Sequence, residues 1–413
     1  MPAHVYRARR TSARVRRIAA ATGALVVVAA VAWFATALLV STPAPRLHLA
    51  VRATQTVPGH LLALHPPLPV EEAVALGGRG TIATAGADTP TPIASLTKMM
   101  AALVVLRDHP LGIGGSGPEI TITPAEVRTY TAERAQQDSV VAVRAGERLS
   151  ELQALEAALI PSGDNVIQLL ATWDAGSSAA FVARMNALAR SLGLSHTHYA
   201  GPSGVDPASV STATDQLRLA EVAMANPVFR SIVSMPQVSL PVAGVQYNVD
   251  GDLGHDGIDG VKTGWVPQGG GCFVFSARTT VAGSSVSILG AVLDDQGKSP
   301  IPDALAQAQR VVVATDKVLT RLRIPSGTPV ASLRAPYARP VEVVTGSPVS
   351  LLAWQGATVR LRLRAARSLR AAVPAGHDVG SIEIGVGGRD RLVSLRTTTA
   401  LSGPSLGWRL RHP

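Results

Sequence analysis

Four lysines occur in 413 residues, Lys98, Lys262, Lys298 and Lys317, while arginine supplies nearly all the remaining positive charge. Two of the four sit in patterns that can do chemistry: Lys98 closes Ser95-Leu96-Thr97-Lys98, and Lys262 opens Lys262-Thr263-Gly264. Arginine stays protonated in proteins, whereas a crowded or buried lysine can lose its proton. A position that must act as a neutral base therefore has no arginine substitute. On a helix, residues three apart share a face, so Lys98 Nζ can reach Ser95 Oγ. A serine hydroxyl is a weak nucleophile until a neighbouring base takes its proton, and the first turn of a helix favours a developing oxyanion. The same spacing fits a capping serine beside an extended lysine, so the pair alone leaves both readings open.

Two more strings add to it. Ser162, in Ser162-Gly163-Asp164-Asn165, lies on a connection between helices, where its hydroxyl could relay a proton between Lys98 and a leaving amine. Ordinary turn vocabulary would produce the same string. In the third string Lys262 can pair with a carboxylate, Thr263 can donate a hydrogen bond to the same group, and Gly264 lets a ligand lie against the backbone. A strand end with an exposed lysine reads the same way.

The elements that must position these residues follow from hydrophobic patterning. Residues 96–106 are apolar on nearly every face, which predicts a helix buried in the core. Short strands are expected at 73–75 and 80–84, around Gly77-Gly78. Ser150-Glu151-Leu152-Gln153 has capping-box spacing, opening a helix that ends near Pro161. Further helices are expected from about Val166, over 179–192 and over 214–225. The pattern then turns to strands between 231 and 241, at 261–263, at 272–278 and at 285–293, followed by a helix over 304–322. From Pro325 the alternation of runs such as Val359-Arg360-Leu361-Arg362-Leu363-Arg364 predicts an all-β unit, with Arg360, Arg362 and Arg364 on one face. This order describes an α+β domain with a β accessory module.

The N-terminus points to a compartment. Arg7, Arg9, Arg10, Arg14, Arg16 and Arg17 precede any acidic residue, and 18–40 carries no charge. As a helix that run would span about 34 Å, enough for a bilayer core. The cationic arm, 1–17, should stay in the cytoplasm and the rest be exported. Ala35-Thr36-Ala37 keeps a cleaved signal peptide as the rival, although the apolar run is long for one. The Pro-rich stretch 41–70 reads as an extended stalk. From residue 301 to the end there are sixteen Arg/Lys against six Asp/Glu. Nucleic acid is a poor partner for an exported chain with few aromatics, and an anionic envelope surface a better one. The single cysteine, Cys272, excludes an internal disulfide framework and a multi-cysteine metal site.

The three strings occur in the order and spacing of the signature shared by class A β-lactamases and penicillin-binding proteins. Pro92-Ile93-Ala94-Ser95-Leu96-Thr97-Lys98, Leu192-Gly193-Leu194 with Thr197-His198-Tyr199, Pro202-Ser203-Gly204-Val205-Asp206 and Asp259-Gly260-Val261-Lys262-Thr263-Gly264 resemble the D-alanyl-D-alanine carboxypeptidases, the low-molecular-weight penicillin-binding proteins. The resemblance runs from about Ala73 to Leu322, and Val379-Gly380-Ser381-Ile382-Glu383-Ile384 resembles the β-domain that often follows in that family.

The resemblance implies an antiparallel sheet flanked by helices over 71–322, then a small β-domain over 325–413. It implies that Ser95 is acylated, Lys98 is its general base and Ser162 the proton relay. Lys262 and Thr263 would hold the terminal carboxylate of a peptidoglycan stem peptide beside Gly264, and the N–H groups of Ser95 and Trp265 would form the oxyanion hole. β-Lactams would acylate the same serine. The family needs neither metal nor organic cofactor, and His196-Thr197-His198 is the one histidine pair that invites a check for metal. One departure stands out: the family's Ser-x-Asn is here Ser162-Gly163-Asp164, followed by Asn165. A carboxylate cannot donate the amide hydrogen bond. Either Asn165 takes that role, or catalysis is slower near neutrality, or the chain is an inactive penicillin-binding scaffold. A β-lactamase is the remaining alternative.

Overall fold

The computed structural model describes residues 4–39, 41–67 and 69–412, with side chains from Arg14 onward. The first arginines of the basic arm (Arg7, Arg9 and Arg10), and Val40 at the end of the apolar run, therefore lie wholly or in their side chains outside what is described. Two compact units emerge. One comprises 57–321 and 352–357; the other comprises the N-terminal region to Thr56, 322–351 and 358 to the C-terminus.

In the first unit a five-stranded antiparallel sheet has the order Ile258–Val266, Gly270–Val281, Ser284–Asp295, Glu71–Leu76, Gly80–Ala85. Side-chain alternation along Gly270–Val281 shows how the layers form. Cys272 and Val274 join the core under the helices, while Phe273 and Phe275 join a second core with Ala304, Ala308, Val311 and Val312. The latter four belong to the helix Pro300–Val318. A sheet with both faces covered needs apolar residues at successive positions, which is what this strand supplies. Cys272 is accordingly a buried packing residue.

The larger core surrounds the helix Thr97–Asp108, in which every residue from Thr97 to Leu106 is buried. Its Ala, Leu and Met content favours helix, and a helix apolar all round must be enclosed. The expected capping box at Ser150 and Gln153 is present. Three helices were not expected from the sequence, one of them the short Leu406–Arg411 near the C-terminus. Pro124–Ala135 buries none of its residues, so no apolar stripe announces it; its signal is the capping box of Thr123 and Glu126 with proline in the first turn. Pro227–Val233 occupies part of the region read as strand, because Asn226 caps it through Val228 and Phe229 N–H. Strand begins only at Gln237.

The second unit is built on a seven-stranded antiparallel sheet, in which Arg46–Leu49 forms one edge and Thr54–Thr56 the other. This corrects the expectation of a stalk over 41–70. Arg46 and His48 are exposed while Leu47 and Leu49 turn inward, an alternation too short to stand out among prolines. A single segment thus supplies both edge strands, of four and three residues, and very short edge strands are one way in which sheets blunt their edges. The later part of the presumed stalk is not free either, since Leu62 and Leu64 pack against the second core of the first unit. The β unit is therefore not confined to 325–413. Arg360, Arg362 and Arg364 are exposed on one face of Thr358–Ala365 as expected, and Arg364 pairs with Glu383 at 2.7 Å. At the N-terminus, His4–Leu39 is a single helix whose segment Arg14–Leu39 has the length and apolar composition to cross a membrane.

Candidate active site

Ser95 lies in a 3-10 turn, Ala94–Leu96, that feeds directly into the buried helix carrying Lys98. The residue before it, Ala94, has φ +48°, a left-handed conformation that costs energy for a non-glycine residue and concentrates at functional sites. The turn is held by close neighbours. A Cβ on Gly204 would lie 1.8 Å from the Ala94 carbonyl oxygen, and one on Gly264 would lie 3.0 Å from Ser95 N. Glycine at 264 therefore lets the strand Ile258–Val266 approach the serine's backbone. Ser95 is half-buried, so its hydroxyl remains reachable, whereas Lys98 is fully enclosed.

Lys98 Nζ is the hub. It lies 2.7 Å from Ser95 Oγ, 3.3 Å from Ser162 Oγ, 2.6 Å from Asp164 Oδ1 and 3.2 Å from the Ser203 carbonyl oxygen. An ammonium has three hydrogens, so four neighbours cannot all be served at once. As a neutral amine, Lys98 would donate to Asp164 and to Ser203 O and turn its lone pair toward the Ser95 hydroxyl. That geometry lets Lys98 accept the serine proton.

Ser162 reaches the hub from a strained position, with φ +65°, on a loop fixed by Gly163 N–H donating to Ala157 O at 3.0 Å. Asp164 begins the helix Asp164–Ala175, where a carboxylate is favoured by the helix dipole. Both its oxygens are engaged: Oδ1 with Lys98, and Oδ2 accepting from Ser139 N–H at 3.1 Å. Asn165 faces elsewhere. Its side chain donates to Val141 O and accepts from Val141 N–H, both at 2.9 Å, so it is Asp164 and not Asn165 that meets Lys98.

Lys262 and Thr263 are buried on the strand beside Ser95, while Trp265 is half exposed. Lys262 Nζ donates to the Thr263 carbonyl at 3.0 Å. Burial first, and then the Lys98 charge, push its ammonium down to about 7, against the opposing pull of Asp164 and Asp250. Sequence reasoning gave no role to four groups that shape this site. Ser203 lies in a quoted string, but what it offers is a carbonyl, invisible in residue type. Ser139 contributes backbone groups alone, its N–H donating to Asp164 Oδ2 and its carbonyl accepting from Asp164 N–H at 2.7 Å. Glu133 is pushed up to about 7 by burial and then by the Asp164 charge. Asp250, buried on a loop tied to the Ser162 connection by Val249 N–H donating to Ile160 O at 3.2 Å, is pushed up to about 6 by burial while Lys262 draws it down. His196 and His198 are exposed, and among the described residues no group of three His, Cys, Asp or Glu side chains is arranged to hold a metal.

The chain is similar to proteins with the same architecture. A family model described as D-alanyl-D-alanine carboxypeptidase matches residues 78–296, more than half of the sequence. A D-alanyl-D-alanine carboxypeptidase of Streptomyces sp. (strain K15) is 30% identical over 249 residues, covering 56% of this chain and 81% of that protein. A D-alanyl-D-alanine endopeptidase of Pseudomonas aeruginosa is 32% identical over 218 residues, covering 51% and 66%. The crystal structure of the Streptomyces K15 DD-transpeptidase superposes with a TM-score of 0.54 at 27% identity, over 61% of this chain and 98% of that one. Penicillin-binding protein 5 of Haemophilus influenzae matches in fold, with a TM-score of 0.56 at 19% identity over 82% and 100%. With the lysine hub between two serines and a second buried lysine on the adjoining strand, this chain belongs to the D-alanyl-D-alanine carboxypeptidase family.

Proposed function

We propose that this protein removes the terminal D-alanine from peptidoglycan stem peptides through an acyl-serine on Ser95, with Lys98 as general base. The observation that carries this reading is the enclosed Lys98 Nζ, 2.7 Å from Ser95 Oγ and 3.3 Å from Ser162 Oγ. Lys98 takes the hydroxyl proton as Oγ attacks the scissile carbonyl. Ser162 gives its hydroxyl proton to the departing amine and takes the proton held by Lys98 in its place, so the C–N bond breaks, D-alanine leaves and Lys98 is again a free base. Water then attacks the ester as Lys98 takes one of its protons, and that proton passes to Ser95 Oγ as the ester C–O bond breaks and the shortened peptide leaves. Lys262 and Thr263 hold the terminal carboxylate, and the N–H groups of Ser95 and Trp265 face the oxyanion, where one donor is typically worth about 2.7–4 kcal/mol. β-Lactams enter by the same attack.

Product analysis on a D-Ala-D-Ala pentapeptide, with the lifetime of a penicillin adduct measured alongside, tests the proposal. Free D-alanine and a long-lived adduct are expected. Rapid turnover of the adduct without D-alanine release would make the protein a β-lactamase, and neither adduct nor product would make it a scaffold.

The charge of Lys262 gives a pH prediction. Its ammonium is pushed down to about 7 in the empty site, so the cation that receives a carboxylate is present below that pH and lost above it. We predict that KM for the D-Ala-D-Ala peptide rises as pH passes upward through about 7, approaching tenfold per pH unit. KM for the corresponding C-terminal amide should stay flat. Parallel profiles for acid and amide would show that Lys262 does not bind the carboxylate.

We also propose that Arg14–Leu39 anchors the chain in the membrane, with the basic arm on the cytoplasmic side and the catalytic unit outside. Its length and apolar composition support this.

A further inference from the structure

At the end of the catalytic sheet that starts the Lys262 strand, five polar side chains surround a cavity of about 320 Å³. Ser276 and Arg278 come from Gly270–Val281, and Ser285 and Ser287 from the neighbouring strand. The register pairs Arg278 with Ser287, Ser276 with Leu289 and Thr280 with Ser285. Residues two apart on a strand share a face, so Ser276 and Arg278 on one strand stand with Ser285 and Ser287 on the other. Arg230 closes the cavity from the helix Pro227–Val233.

Both guanidinium groups are braced and yet leave donors over. Arg278 Nε donates to Asp259 Oδ2 at 2.7 Å, which sets the plane of the group and leaves both terminal nitrogens unengaged by protein. Arg230 Nη1 donates to the Met224 carbonyl, leaving its other terminal nitrogen. Among the described residues Arg230 has no carboxylate partner, and the hydroxyls of Ser276, Ser285 and Ser287 make no hydrogen bond to protein. Ser276 is itself buried. Two guanidinium groups and three hydroxyls without protein partners line one solvent-open space, and among the described residues Asp259 is the one carboxylate paired with either arginine. A carboxylate offers two oxygens to such a set, whereas a phosphate offers three or four, and paired N–H donors suit phosphate recognition. None of these five side chains belongs to the catalytic cleft described above.

We propose that this cavity is a second ligand site, which binds a phosphate group carried on a small polyol. The phosphoryl oxygens take the terminal nitrogens of Arg230 and Arg278 and the hydroxyls of Ser276 and Ser287. The volume leaves room for a glycerol- or sugar-sized stem beyond the phosphate. On an exported enzyme such a group is available from an anionic lipid headgroup or from a phosphate-bearing wall polymer.

The test is titration calorimetry on the full chain in detergent with inorganic phosphate and with glycerol 3-phosphate, at constant ionic strength against chloride. Binding on the order of 1 mM or tighter is expected, stronger for glycerol 3-phosphate. Arg278→Gln with Ser287→Ala should weaken it at least tenfold, the cost of losing a charge-assisted hydrogen bond, while penicillin labelling is unchanged. Prior acylation by penicillin should leave phosphate binding intact, because the catalytic lysines are then covered. Should the Arg278 variant fail to fold, Ser276→Ala with Ser287→Ala carries the same expectation. Phosphatidylglycerol vesicles and soluble poly(glycerol phosphate), each compared with the double variant, identify the source. The site is overturned if neither small phosphate binds beyond chloride, if the variants bind equally well, or if acylation abolishes binding.

Discussion

Replacing Lys98 by arginine is expected to reduce acylation by penicillin about 10³-fold or more, within the range that general-base catalysis supplies. The substitution keeps the positive charge and a long stem, so an electrostatic role alone would survive it. A guanidinium cannot release its proton to become the acceptor for Ser95, and it needs more room than the enclosed ammonium site gives. The check is a stopped-flow or gel-based labelling rate, with circular dichroism and melting temperature to confirm folding. Since the bulkier head could disturb a fully enclosed position, Lys98→Met serves as the second variant. It should fold with the cavity filled and label just as slowly. Wild-type labelling by either variant would mean that another group takes the serine proton.

Asp164→Asn is expected to act in the opposite direction. Asp164 Oδ1 lies 2.6 Å from Lys98 Nζ in a buried pair, close enough to hold the lysine's hydrogens and to keep Nζ turned toward the carboxylate. The base must be uncharged to accept a proton, so this ion pair opposes the first step of the reaction. In the asparagine variant, the amide oxygen can take the place of Oδ2 and accept from Ser139 N–H, while the amide nitrogen turns a donor rather than a charge toward Lys98. Charge-assisted hydrogen bonds are typically worth about 1.5–3 kcal/mol, so acylation near pH 7 should rise about tenfold or more. Lys262, whose ammonium feels both Lys98 and Asp164, stays in place. An unchanged acylation rate would show that the Asp164 carboxylate does not govern Lys98.

How much of this was legible in the sequence divides along physical lines. The lysines stand out because the chain otherwise writes its cations as arginine, and the buried helix follows from residues 96–106 being apolar on every face. Capping chemistry at Ser150 was readable because it is local. Which of Asp164 and Asn165 enters the cleft was not: one residue of helical phase decides it, and the answer depends on Val141 being placed to satisfy the Asn165 amide. The Ser203 carbonyl and Ser139 N–H are backbone groups that every residue carries, so residue type cannot mark them. The edge strands at 46–49 and 54–56 are short and lie among prolines, and only their partners some 280 to 310 residues later make them strands. The helix Pro124–Ala135 lacked an apolar stripe altogether.

The central claim is that Ser95 is the residue that accepts the acyl group, activated by the lysine beside it. Incubation with penicillin, proteolysis and mass spectrometry of the adduct test it most directly. A single penicilloyl group on the peptide containing Ser95, absent from Ser95→Ala while that variant folds normally, is the predicted result; an adduct on another residue, or one that persists in Ser95→Ala, would contradict it.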